Sequence, residues 1–418
     1  GAGSGSGSYA TQSEDADDRT STWDQYWSYQ GMTVLFAAGN ERNEGVSPPG
    51  TAKNVITIGG HVNRYNGAPD EMYYWSSRGP TDDGRIKPDL VAPGDYVRSC
   101  RAQEAEDAPN NLNNQWYVEY SGTSMSTPAA AGASVIVREY LMEIAERPAP
   151  QGALVKAMLI LGAVDMGTRD IPNEDEGWGR LNLVNTLVPD GDIGTYVDDR
   201  SRLSSGQQAQ YNFDVTRAGE ALKVVLAWSD YPGSTWSSTQ LRNDLNLEVT
   251  SPDGQVTFFG NDFSNGKSTT GGAKDNKNNV EVVLIDSAAT GVWNVKVKDF
   301  SHGGSRTYQP FAIAVRGVNV NDLIPDPAII PSSFEISTPI PQIGEEAQFS
   351  VSVVNQGSGS FPEVHVSAYV NSNHIGTKTL GMSPGEDALL EWDWTPSSAV
   401  DTEIRIEIDP NDQLEELS

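Results

Sequence analysis

An α/β unit built on a parallel sheet, followed by two all-β units, is the architecture this sequence predicts. Three observations point to it. Continuous apolar runs of strand length, MTVLFAAGN (Met32–Asn40) and NVITIGG (Asn54–Gly60), alternate with helical stretches and Gly/Pro loops up to about Leu187, and central strands buried on both faces read this way. From about Gly191 the helical periodicity disappears and short alternating strands take over. The chain of 418 residues is also too long for one ordinary domain. We place the three units at 1–190, 191–319 and 320–418.

In chain order, Ser13 to Tyr29 carries acids near its start and Trp23, Tyr26 and Trp27 at helical spacing, which predicts a helix packing an aromatic stripe on the sheet. After Pro128 the run AAAGASVIVREYLMEIAER has apolar positions at three and four spacing, with Pro128 in the first turn of the expected helix. A second helix is expected over Ala153–Ala163, and GWGRLNL from Gly177 closes the unit. QYNFDV, LKVVLAW, LNLEVTSPDG, VEVVLID, GVWNVKVKDF and FAIAVRG then predict a β-sandwich or jelly roll. Beyond the linker Asn321–Pro331, the segments FSVSVVN, EVHVSAYVN, ALLEWDW and EIRIEID suit an immunoglobulin-like sandwich.

Lys plus Arg number 28 against 57 Asp plus Glu, a net charge of -29. Nucleic acid and anionic membrane would be repelled, and a solvated acidic surface is the simplest account. Cys100 is the single cysteine, so no intrachain disulfide forms. No run of 18 apolar residues spans a membrane, and GAGSGSGSYA lacks the features of a signal peptide. Both ends read as cuts.

The segment YSGTSMSTPAAAG (Tyr120–Gly132) sets Ser124 among small residues that run into a long helix. A nucleophile suits that place, because a substrate backbone can approach and the helix N-terminus offers N–H groups and a positive dipole to an oxyanion. An N-cap serine suits it equally, since Ser121, Ser124 and Ser126 all can cap. Asn40 ends an apolar strand in FAAGN, at a sheet end where α/β folds place ligands. Its amide can donate to an oxyanion or simply serve a turn.

The motifs FAAGN, SSRGPTDDGRIKPDLVAPG and SGTSMSTPAAAG, in that order, resemble those of the subtilase family of serine proteases. The resemblance implies a subtilisin-like fold for the α/β unit and serine endopeptidase activity on extracellular proteins and peptides. It makes Ser124 the nucleophile, Asn40 an oxyanion donor with the Ser124 N–H as the second, and Ala37, Ala38, Gly39, Gly122 and Thr123 part of the substrate groove. The family's aspartate and histidine motifs do not occur in the sequence, and His61, His302, His365 and His374 are expected to be structural or surface residues. The chain alone is therefore expected to be inactive, with a non-catalytic secreted pseudoprotease as the alternative reading.

LAWSDYPGS, LRNDLNLEVTSPDG, GNDF and NKNNVEVVLI resemble the C-terminal jelly roll of the oxidatively stable alkaline branch of subtilases. That likeness implies structural calcium, for which Asp230, Asn243, Asp244, Asp262, Asp275 and Asn279 offer oxygen ligands. VVNQGSG, YVNSNHIGTKTL and EWDWTP are similar to bacterial and archaeal adhesion-related modules, implying contact with a cell surface or polymer, or a spacer.

Overall fold

The computed structural model describes residues 7–21, 32–63, 68–102, 112, 114–145, 147, 149–167, 169–188, 193–303, 308–319, 327–338, 341, 343–355, 361–382, 386–396 and 402–409. The first unit opens with α1 (Thr11–Thr20), which has Glu14 in its first turn and Arg19 in its last, each complementing the helix dipole. Trp23, Tyr26 and Trp27 lie outside the described residues.

Three strands, β1 (Leu35–Ala37), β2 (Ile56–His61) and β3 (Leu90–Pro93), form a parallel sheet in that order, in register through Leu35 with Ile56 and Ile58 with Leu90. All six residues of β2 are buried. The expectation for Met32–Asn40 needs correction, because β1 is a half-buried edge strand of three residues. An apolar run records a tendency to be covered, and among the described residues only β2 pairs with β1. A hairpin of β4 (Val97–Cys100) and β5 (Tyr117–Tyr120) leads into α2 (Thr123–Glu143). That helix begins five residues earlier than Pro128 predicts, and Pro128 sits inside it. The proline ring is exposed, so the interior position costs the N–H that would have bonded the Ser124 carbonyl but no core packing.

Helix α3 (Gly152–Leu161) follows, with all ten residues buried. A helix apolar on every side must be covered on every side. One side of α3 meets the first unit, where Ile58, Leu90, Val137 and Leu141 share its core. After α4 (Leu183–Leu187) come strands β6 (Ile193–Asp198), β7 (Arg202–Ser204), β8 (Gln208–Val215), β9 (Leu222–Ala227), β10 (Asn243–Thr250) and β11 (Thr257–Phe259), then β12 (Phe263–Ser264), β13 (Lys267–Ser268), β14 (Val280–Ile285), β15 (Gly291–His302), β16 (Tyr308–Pro310) and β17 (Ala312–Asn319). Two four-stranded sheets result, ordered β11-β10-β15-β8 and β14-β9-β17-β6. Phe213, Leu226, Trp228, Leu247, Trp293 and Val315 fill the space between them. The outer face of the second sheet, through Val225, Ala227, Ala312 and Ala314, covers the remaining side of α3.

This second unit also holds both ends of α3. At its start the Asp199 carboxylate accepts the Gln151 N–H (2.8 Å), and at its end the Lys223 ammonium donates to the Ile160 carbonyl (2.7 Å). Each charge has the sign that the helix dipole favours. A buried polar seam runs alongside, with Lys53 Nζ 3.1 Å from Asp17 Oδ2 and 3.6 Å from Asp230 Oδ2.

The third unit contains β18 (Pro327–Ile336), β19 (Ala347–Asn355), β20 (Phe361–Val370), β21 (Asn373–Met382), β22 (Asp387–Trp394) and β23 (Ile404–Ile408), in two three-stranded sheets, β18-β19-β22 and β21-β20-β23. Phe349, Val351, Val366 and Trp392 give it a separate core.

Candidate active site

Gly122 precedes α2 at φ 142°, a conformation that side chains rarely adopt, and a Cβ there would lie 3.4 Å from both amide atoms of Asn40. The turn therefore needs glycine. It delivers Ser124 as the second residue of α2, exposed at the end where N–H groups lack intrahelical acceptors. The Ser124 hydroxyl has no hydrogen-bond partner among the described residues.

Asn40 stands opposite, just beyond β1. Its Oδ1 accepts from the Thr123 N–H (2.9 Å) and from Thr123 Oγ1 (3.2 Å). A backbone N–H can only donate, so the oxygen must face Thr123 and Nδ2 is left as the outward donor. The Asn40 N–H in turn donates to Glu41 Oε2 (2.9 Å). Gly39, at φ 112°, is pinned by its N–H donating to Thr123 Oγ1 (3.3 Å), and a Cβ there would meet Ser47 Oγ and Ser77 Oγ at 2.8 Å each. Ala38, Gly122 and Thr123 are buried, while Ala37 and Gly39 are half-buried. What this strip can offer a substrate is mostly backbone.

No histidine stands beside Ser124 among the described residues. His61 is buried at the end of β2 with Nδ1 2.9 Å from the Val62 carbonyl, and burial pushes its pKa down to about 4. His365 and His374 bond Thr379 and Thr377 in the third unit, and His302 belongs to β15.

The six residues expected to hold calcium are spread over the second unit. Asp230 accepts from the Arg242 and Asn243 N–H groups and faces Lys53. Asn243 Nδ2 donates to Gln309, and Asn279 Nδ2 donates to Asn54 and to the Trp228 carbonyl. Asp262 accepts from the Gly272 N–H. Asp275 accepts from Asn261 and Asn278. Among the described residues no three His, Cys, Asp or Glu side chains converge closely enough to ligate a metal as they stand. Asp244 is the best candidate of the six: burial first, then Asp275 and Asp299, push its pKa up to about 7. Two residues that sequence reading missed lie near it. Glu281 Oε1 and Asn246 Oδ1 are buried acceptors without a hydrogen-bond partner, and burial followed by Asp275 drives the Glu281 pKa upward. Their positions inside NDLNL and NNVE were the available signal.

Comparison with known proteins follows this geometry. The subtilase family model matches residues 3–179, the proprotein convertase P-domain model 234–311 and the CARDB model 321–418. A serine protease/ABC transporter B family protein, tagD, of Dictyostelium discoideum is 29% identical over 272 residues, covering 50% of this chain and 15% of that protein. Serine protease AprX of Bacillus subtilis is 33% identical over 132 residues, covering 30% of this chain and 29% of its own. The chain thus spans less than a third of either relative. The CARDB domain of the PF1109 protein from Pyrococcus furiosus is 26% identical over 23% of this chain and 78% of its own, with a TM-score of 0.20. The first unit is thus similar to the subtilase family over residues 3–179. The subtilase and CARDB matches are the resemblances that the motifs led us to expect, whereas the P-domain match over part of the second unit was not foreseen by that name.

Proposed function

We propose that this chain is the nucleophile-bearing part of an extracellular serine endopeptidase. Ser124 Oγ attacks the scissile carbonyl, its proton passes to a histidine base, and Asn40 Nδ2 with the Ser124 N–H receives the negative oxygen. Collapse expels the amine, which takes the proton back, and water releases the acyl group by the same route. The observation that carries this reading is the Thr123–Asn40 clamp, which leaves an amide donor and an unbonded serine hydroxyl at one helix N-terminus. An N-cap serine would need no such partner.

The base and its orienting acid are not in this sequence. Support for their arriving on further polypeptide comes from exposed apolar residues of the first unit: Val135 (67% exposed) and Ile136 (45%) on α2, and Met32 (71%) shortly before β1, which has one neighbouring strand among the described residues. Apolar surface of this kind next to an open sheet edge suits cover by more chain.

We read the second and third units as a jelly roll and an immunoglobulin-like sandwich, the latter contacting a cell surface or polymer. Calcium, if bound, would be drawn to Asp244 and the unpartnered Asn246 Oδ1 beside it, and would have to pull further carboxylates inward, because no three of them converge among the described residues.

The deciding experiment is peptide hydrolysis by the full-length polypeptide. Ser124→Ala should abolish turnover, and undiminished turnover rejects the assignment. The 418-residue chain alone should be inactive; hydrolysis by it would show that a base lies within it.

A further inference from the structure

Strand β8 lies at the end of its sheet and pairs with β15 alone among the described residues. Along antiparallel strands, hydrogen-bonded and unbonded residue pairs alternate. The Asp299 N–H donates to the Gln207 carbonyl (3.0 Å), which makes that pair a bonded one. Counting on from it, Ala209 opposite Val297 is bonded, while Gln208 opposite Lys298 and Gln210 opposite Lys296 are not. The backbone N–H and C=O groups of Gln208 and Gln210 therefore point away from β15, and no other hydrogen bond reaches them among the described residues.

A cavity of about 580 Å³ opens beside this strand, between the second and third units, and ligand sites are of this size, about 300–1,000 Å³. Gln208, Ala209, Gln210 and Tyr211 all line it. Successive side chains point to opposite faces of a strand, so a cavity that touches four residues in a row meets the strand along its edge. Across the cavity stand Ile330 and Val354 of the third unit, both half-buried. Ile329 is in register with the core residue Val353, and Ile330 with Ser352, so Ile330 and Val354 belong to the sheet face turned away from that unit's core. Arg202 and Asp387 are the charged residues of the lining, one of each sign, so the cleft is neutral in a chain of net charge -29.

We propose that this cleft takes up an extended polypeptide segment as an added strand on β8, its backbone bonded to Gln208 and Gln210 and its apolar side chains set against Ile330 and Val354. Backbone groups repeating every second residue match another strand, and an apolar wall opposite gives alternate side chains a place to rest. A saccharide has no such repeat and little to set against two aliphatic side chains. The site stands apart from the chemistry at Ser124 and does not depend on it. A bound segment would touch the second and third units together.

Fluorescein-labelled β-casein, an unfolded protein that offers many segments in turn, is the probe, titrated with the 418-residue chain at about 0.3 M salt to screen surface charge. Saturable binding by fluorescence anisotropy is expected, with slowed hydrogen exchange at the Gln208 and Gln210 amides. Gln210→Pro removes an outward N–H while sparing the bonds to β15, and should weaken binding roughly tenfold. Ile330→Asp sets a charge on the opposite wall and should weaken it by about as much; where Gln210→Pro disturbs the edge strand, this variant decides. Absence of binding, equal affinity in wild type and Ile330→Asp, or unchanged exchange at Gln208 and Gln210 overturns the proposal. Displacement of the probe by maltohexaose overturns it in favour of a saccharide, and protection of the same amides by self-association of the chain alone overturns it in favour of a second copy.

Discussion

At Asn40, both acceptor positions of the amide oxygen are filled by one residue, Thr123, and this turns the amide nitrogen outward. Asn40→Ala should lower kcat by roughly a hundredfold to a thousandfold with little change in KM, a range that itself comes from a subtilisin. A large rise in KM at normal kcat would contradict an oxyanion role. Thr123→Val keeps the N–H donor and deletes the hydroxyl, so a smaller loss of kcat is expected, on the order of a few fold to tenfold. Both are read by steady-state kinetics of the full-length polypeptide. FAAGN and GTS singled out Asn40 and Ser124 in the sequence as candidates. Thr123 as the residue that orients Asn40 was not, because its partner lies 83 positions away and neither residue type announces the pairing.

The helix α3 was legible to within two residues at either end, since ALVKAMLIL is apolar enough to demand burial. Which surface covers its far side was not, because periodicity within a segment says nothing about a sheet whose strands lie between Ile193 and Asn319. Its packing carries a stability prediction: Met158→Ala should destabilise the chain by about 2–5 kcal/mol, measured by denaturant unfolding. The Lys223 contact carries a pH prediction. Burial, with Arg316 nearby, lowers the Lys223 pKa from 10.5 to about 7. Between those values the unfolded chain binds a proton that the folded chain does not, so this group makes stability rise with pH from about 7 toward 10.5 and adds no slope below. The slope is on the order of 1.4 kcal/mol per pH unit. Lys223→Met should remove that slope from unfolding curves measured between pH 7 and 10, and an unchanged profile would dismiss the contact as the cause.

For the molecule as a whole, the three cores divide the chain differently from its three sequence units. The third unit keeps its core to itself, whereas the first and second share the one built around α3. Ending the chain within 320–326 should therefore leave the melting temperature of the remainder nearly unchanged, while ending it near 190 should yield an insoluble or molten first unit. Calorimetry and near-UV circular dichroism of the two truncations distinguish these outcomes. Calcium bears on the same scale: a chelator should lower the melting temperature of the β-rich part, and an unaffected transition would remove Asp244 and Asn246 as metal ligands. A composition break at about Gly191 was easy to see in the sequence. It marks a change of secondary structure, and folding ignores it because Val225 and Ala314 complete the surroundings of a helix that ended some sixty or more residues earlier.

That shared helix also shapes what inheritance can do with the chain. The CARDB portion can be gained, lost or exchanged among genes by a single join in the linker, since nothing upstream depends on its core. The second unit cannot travel that way. A foreign β unit grafted at residue 190 would bring its own residues to the places of Asp199, Lys223 and Val225, and would have to suit a helix it had never met. Substitutions on the two sides of this boundary should therefore be accepted in pairs, and the two domains should share one line of descent even where their neighbours on the polypeptide do not.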